Sequence, residues 1–163
     1  MKIGIVSDTH DTLQPAVLRL FQGVSQILHL GDVCRPTLLD ELRQVAPVAA
    51  VRGNCDLGAW ANALPVRDTW QFGHLFVHGL HDLAALDLRP SAQGIRLVLA
   101  GHTHRPTHVQ SDGATILNPG SASTPRFGHP PTVLLLTVTE GDFTFDWYRL
   151  DNDRCYEVLP TRA

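Results

Sequence analysis

Three short aliphatic runs alternating with two helical stretches constrain this chain more than any other feature. Lys2 to Val6, Gln26 to Leu30 and Pro47 to Val51 read as buried strands. Between them, Leu13 to Phe21 carries apolar residues at Leu13, Val17, Leu20 and Phe21, one face of a helix. Pro36 suits the first turn of a second helix running through Leu42. A β–α–β–α–β opening predicts a parallel core with right-handed crossovers. Leu57 to Pro65 fits neither pattern cleanly, a short helix around Trp60 being one reading.

The second half predicts antiparallel additions. Thr69 to Phe72 and Leu75 to His78 flank Gly73–His74, a tight hairpin. Thr107 to Gln110 and Thr115 to Leu117 flank Ser111-Asp112-Gly113, and Thr132 to Thr139 and Phe143 to Leu150 flank Glu140-Gly141-Asp142. Leu83 to Leu88 reads as a short helix and Ile95 to Ala100 as a strand covered on both faces. The expected fold is α/β, with two mixed sheets packed face to face and helices outside. Neither a repeat nor a linker divides the chain, so residues 1–163 are expected to form a single domain.

Composition narrows the function classes. The chain is 44% hydrophobic and 18% charged, which suits a soluble domain with a sizeable core. Its formal net charge is −3 and Lys2 is its only lysine, so no basic footprint for duplex nucleic acid is expected. No apolar run approaches the roughly 20 residues of a membrane span. The amino terminus turns polar too early for a signal peptide. Cys34, Cys55 and Cys155 are widely spaced and odd in number, which points to reduced thiols and a cytoplasmic location.

The polar residues at the predicted strand ends form a series. Asp8 and His10 follow the first strand, Asp32 the second and Asn54 the third; His78 closes the hairpin strand, and His102 and His104 follow Ile95 to Ala100. In open α/β sheets the carboxyl edge of the strands is where ligands bind, and imidazole is the commonest protein metal ligand. Each residue has an ordinary alternative: a turn cap at Asp8, a helix N-cap at Asp32, a turn dipeptide at Gly53–Asn54, a hydrogen-bonded core histidine at His78, a solvated turn at His102 and His104. Accident at all five strand ends together is rejected.

The series Asp8-x-His10, Gly31–Asp32, Gly53-Asn54-Cys55-Asp56, His78–Gly79 and Gly101-His102-Thr103-His104 resembles the calcineurin-like metallophosphoesterases, most closely their small bacterial and archaeal phosphodiesterase branch. Asn118 to Arg126 is similar to a segment of that branch, and the resemblance spans Ile3 to about Leu150. It implies a four-layer α/β/β/α sandwich with a two-metal site. One metal would be held by Asp8, His10, Asp32 and His104, and the other by Asp32, Asn54, His78 and His102, with Asp32 bridging. Mixed imidazole and carboxylate donors suit Mn, Fe, Zn, Co or Ni, with Mn favoured. The implied chemistry is attack on a phosphoester by a hydroxide between the metals, with no covalent intermediate.

The chain departs from that family at two motifs. Cys55 stands where many members carry the histidine that protonates the leaving group, so Cys55 is the candidate catalytic acid. The branch commonly shows His-Gly-His, whereas here His78–Gly79 is followed by Leu80 and His81. His81 is then either displaced into a supporting role or, the preferred reading, a surface histidine. His29 reads as a core residue, His74, His108 and His129 as solvated, and Cys34 as a small buried hydrophobe. Arg126 reads equally as a phosphate contact or a structural salt bridge. The expected partner is a small phosphoester, with no membrane and with a homo-oligomer compatible. The rival from another class is a non-enzymatic interaction scaffold like the retromer subunit Vps29, which resembles the same branch. A phosphomonoesterase with the same metals is a third reading.

Overall fold

The computed structural model describes residues 1–123, 125, 128–151 and 154–158, of 157 and 158 the backbone alone. The opening repeat forms as the sequence predicts. Strands β1 (Lys2–Val6), β2 (Gln26–His29) and β3 (Val48–Ala50) pair in parallel, with helices α1 (Pro15–Leu20) and α2 (Pro36–Arg43) between them. Each helix begins on a proline, whose fixed φ suits the first turn and whose missing N–H has no intrahelical partner there. Pro15 also holds Gln14 extended, with ψ at 135°, so α1 starts later than Leu13.

Beyond β3 the chain builds mostly hairpins. Strands β4 (Arg67–Phe72) and β5 (Leu75–Leu80) pair antiparallel, and β6 (Ile95–Ala100) runs parallel to β5. Strands β7 (Thr107–Ser111) and β8 (Ala114–Asn118) form the next hairpin, with β8 parallel to β6. Strands β9 (Thr132–Val138), β10 (Phe143–Asp151) and β11 (Arg154–Val158) return antiparallel to the first sheet. The result is a six-stranded sheet in the order β11-β10-β9-β1-β2-β3 and a five-stranded sheet in the order β4-β5-β6-β8-β7. Strand β11 has no counterpart in the sequence reading.

Period-two alternation decides what lies between the layers. Ile3, Ile5, Leu28 and Leu30 of the first sheet meet Val77, Leu97, Leu99 and Leu117 of the second, and wholly buried Trp147 joins them. On the outer face of the first sheet, Val6, Ile27, Val133 and Leu135 pack under Val17, Phe21, Leu38 and Leu42 of the helices. Gly4 makes this possible: a Cβ there would sit 2.8 Å from the Phe21 ring. The outer layer on the second sheet is thin. Leu86 and Leu88 cover Leu80, Ile95, Val98 and Ala100. The helix expected over Leu83 to Leu88 is only a 3-10 turn, Leu83–Ala85, and a second such turn spans Pro90–Gln93. Around Trp60 the helical element is a 3-10 turn at Ala61–Ala63.

Candidate metal centre

Each sheet contains three parallel strands, β1, β2 and β3 in one and β5, β6 and β8 in the other, and the loops leaving their carboxyl ends converge. Their backbone is unusual. Asp8, His10, Asp32, His102 and His104 all have positive φ, between 43° and 68°. Aspartate and histidine tolerate this region better than most residues but still pay strain, which collects at functional sites. The loops also approach closely: a Cβ on Gly101 would collide with Ser7 and lie 2.8 Å from Asp8 Oδ2, and one on Gly53 would collide with Asp32.

Asp8, His10, Asp32 and His104 place one donor atom each within 4.8 Å of all the others. His10 Nε2 lies 3.2 Å from His104 Nε2, and His104 Nε2 lies 3.1 Å from Asp8 Oδ1. A second group adjoins the first. Asn54 Oδ1 is 3.0 Å from both His102 Nδ1 and His81 Nε2. Asp32 stands between them, with Oδ2 3.8 Å from His10 Nε2 and Oδ1 3.5 Å from His81 Nε2. Burial pushes the Asp32 carboxyl up, but hydrogen bonds from His81 and the Cys55 N–H outweigh it and hold the group well below the usual carboxylate range. Burial pulls His81 down, but the hydrogen bond to Asp32 and the charge of Asp8 leave it net raised.

The structure corrects the sequence reading at His78. Strand β5 runs on to Leu80, so His78 sits mid-strand, paired across to Thr69 and Val98, with Nδ1 2.8 Å from Thr69 Oγ1. Its ring does not join Asn54 and His102. The residue that does is His81, the first after the strand; it is buried, with Nδ1 2.7 Å from Leu30 O. The preferred reading of His81 as a surface histidine therefore falls. Leu75 and Val77 point into the core between the sheets, so with the strand continuing to Leu80, alternation sends His78 to the other face.

Supporting residues complete the centre. Asp56, to which no role was assigned, accepts hydrogen bonds from the backbone N–H groups of Asp32 (3.0 Å), Gly53 (2.7 Å) and Cys34 (2.8 Å), tying the β2 and β3 loops together. His29 is a wholly buried core residue. The Gly31 N–H donates to its Nδ1, so Nε2–H donates to Thr9 Oγ1, which donates to Asp32 O. Burial pushes His29 down to about 4. Asn118 Nδ2 donates to Gly101 O at 2.6 Å and Ser121 Oγ to Asp8 O at 2.8 Å, so the segment after β8 supports both ligand loops.

Cys55 is exposed, its N–H bonded to Asp32 Oδ1 and its sulfur 3.3 Å from Asn54 Nδ2. Burial, then the Asp32 carboxylate, raises its thiol. Cys34 is half-buried rather than buried, its sulfur 3.8 Å from His10 Nδ1, and burial pushes it up to about 11. His74 is exposed, His108 and His129 are half-buried, and His108 stands edge-on to Phe145. Arg126 lies outside the described residues.

The residues present fit metal ions. Asp8 Oδ1 is buried with no hydrogen bond, and imidazole nitrogens face one another across a space bounded by two carboxylates. Nitrogen and oxygen donors in this mixture suit divalent first-row transition ions. Two mixed sheets with such a donor cluster at their shared edge define a metallophosphoesterase-type fold. Residues 1–141 match the calcineurin-like phosphoesterase superfamily domain, and the chain belongs to that family. It is 33% identical over 146 residues to a probable metallophosphoesterase of Methanothermobacter thermautotrophicus, covering 83% of this chain and 85% of that one. It is 32% identical over 168 residues to phosphodiesterase YfcE of Escherichia coli, covering 83% and 87%. Among solved structures, Vps29 of Entamoeba histolytica complexed with zinc superposes with a TM-score of 0.78 at 24% identity, over 97% of this chain and 98% of that one.

Proposed function

We propose that this protein is a dinuclear metal-dependent phosphodiesterase. The observation that carries the proposal is Asp32, whose two oxygens face two adjoining donor groups. Asp8, His10, Asp32 and His104 would hold one ion, and Asp32, Asn54, His81 and His102 the other. Divalent ions held by these residues, Mn favoured, would supply a hydroxide nucleophile at neutral pH and positive charge facing the phosphate. In the overall reaction a water oxygen bonds to phosphorus as one ester P–O bond breaks. The departing oxygen takes up a proton, leaving a phosphomonoester and an alcohol. Cys55, whose Sγ lies 3.3 Å from Asn54 Nδ2 of the second donor group, is the candidate proton source for the departing oxygen. The three free cysteines fit a reducing, cytoplasmic setting, and among the described residues no helix is long and apolar enough to cross a membrane.

The structural likeness to Vps29 supports a rival, a scaffold that keeps the donors without turnover. The test is a hydrolysis screen of metal-stripped protein resupplied with Mn, Ni, Co, Zn and Mg in turn, against diesters and monoesters. Turnover restored by a transition ion, with diesters preferred, is expected. Two bound metal equivalents with no turnover of any ester would favour the scaffold.

A further inference from the structure

Two cavities open beside the donor cluster, and His102 lines both. The larger, about 620 Å³, is walled by Leu83, Ala100, Thr107 and Ile116 and includes the exposed Arg105. The smaller, about 440 Å³, is walled by Arg52, Asn54, Arg67, Asp82 and Asp87 and reaches His81. The 3-10 turn Leu83–Ala85 divides them, with Leu83 on one side and Asp82 and Ala85 on the other. Each volume lies in the range of small-molecule sites, roughly 300–1,000 Å³.

A phosphomonoester carries one organic group and needs one seat, whereas a diester carries two. Here two seats, one lined mainly by apolar side chains and one carrying Arg52, Arg67, Asp82 and Asp87 beside Val66 and Leu80, share a wall that is also a candidate metal ligand. We infer that the substrate is an unsymmetrical phosphodiester, with an apolar group in the Leu83 cavity and a polyhydroxylated alcohol in the Arg52 cleft. The inference rests on the phosphoesterase reading and assigns its substrate class. The polar seat suits hydroxyls better than a second anion. Arg67 and Asp87 neutralise each other, and the Asp82 carboxylate offsets Arg52, so the cleft carries no net positive charge to hold a second anion. Arg52 donates to Asn62 Oδ1 at 3.2 Å and forms no ion pair among the described residues, so its remaining N–H groups are available to alcohol oxygens.

Non-hydrolysable phosphonates test the apolar seat on zinc-loaded protein. Phenylphosphonate is expected to bind about tenfold or more tighter than methylphosphonate, the size expected from burying a ring. Its amide shifts should fall at Leu83, Ala100, Thr107 and Ile116. Leu83→Ser should cut the phenyl advantage over methylphosphonate to within about twofold, while Val66→Ser in the other cleft should preserve it. For the polar seat, glyceryl 4-nitrophenyl phosphate should show a KM about fivefold or more below that of the propyl ester, and Arg52→Ala should remove the difference. Equal phosphonate affinities in a protein that hydrolyses phosphoesters overturn the apolar seat alone, and equal KM values overturn the polar seat alone. Absence of both phosphonate binding and hydrolysis overturns the phosphoesterase reading itself.

Discussion

Asp32 presents one carboxylate oxygen to each donor group and a backbone N–H to Asp56, so its charge serves both halves of the centre. Asp32→Asn should lower bound metal by more than one equivalent and activity by at least about 100-fold, because an amide is a far weaker bridging donor. Two full equivalents in the variant, read by elemental analysis, would refute the bridge. The pair His78 and His81 separates strand position from sequence motif. His81→Ala should remove about one metal equivalent and at least about 100-fold in kcat/KM, whereas His78→Ala should stay within about twofold. A loss of metal in the His78 variant alone would restore the original assignment. Cys55 has a narrower role. A positioned acid contributes about 10²–10⁴-fold, but a thiol is a weak donor, so diesters with acidic leaving groups should react far better than alkyl esters. Cys55→His should accelerate the poor leaving groups most, and parallel leaving-group plots for parent and variant would remove Cys55 from the reaction.

At the scale of elements, the centre depends on loops being fixed to one another as much as on strands. Asp56 holds three backbone N–H groups from two loops. Leaving a buried donor unsatisfied costs about 1–3 kcal/mol. Asp56→Ala should therefore destabilise the protein by at least about 2 kcal/mol and also weaken metal binding, with Asp56→Asn recovering part of both. An unchanged urea midpoint in Asp56→Ala would show that water replaces the carboxylate. The strands other than β11 were readable within a residue or two, because each carries period-two or continuous apolar character. The exception that mattered was the end of β5. Gly79 interrupts the apolar alternation there, and the strand continues because β4 pairs with it residue by residue from Phe72↔Leu75 to Arg67↔Leu80. A side chain collides with the space at Gly79, where a Cβ would meet the Trp70 ring. That contact between strands is invisible in the local pattern.

For the whole molecule, the buried chain from Gly31 through His29 and Thr9 to Asp32 links folding to the centre. His29 has a pKa near 6.5 when unfolded and about 4 when folded. Below pH 6.5 the unfolded state binds a proton that the native state refuses, so stability falls as pH drops from 6.5 to 4 and is fully present above that window. The loss amounts to roughly 3 kcal/mol across the window. Metal-free protein should show this slope in urea midpoints, and His29→Asn should flatten it; identical slopes in both would remove His29 as the cause. The family, the parallel opening, the hairpins and the convergence of Asp8, His10, Asp32, Asn54, His102 and His104 at the strand ends were legible in the sequence itself. Local periodicity specifies strands and helices, and polar residues that interrupt an apolar run mark its end. Only the tertiary structure brought His81 rather than His78 beside Asn54, gave Asp56 its tie between loops, added β11 to the first sheet and thinned the outer layer of the second. Those outcomes depend on which strands pair and how far, contacts between residues distant in the chain that no local pattern encodes.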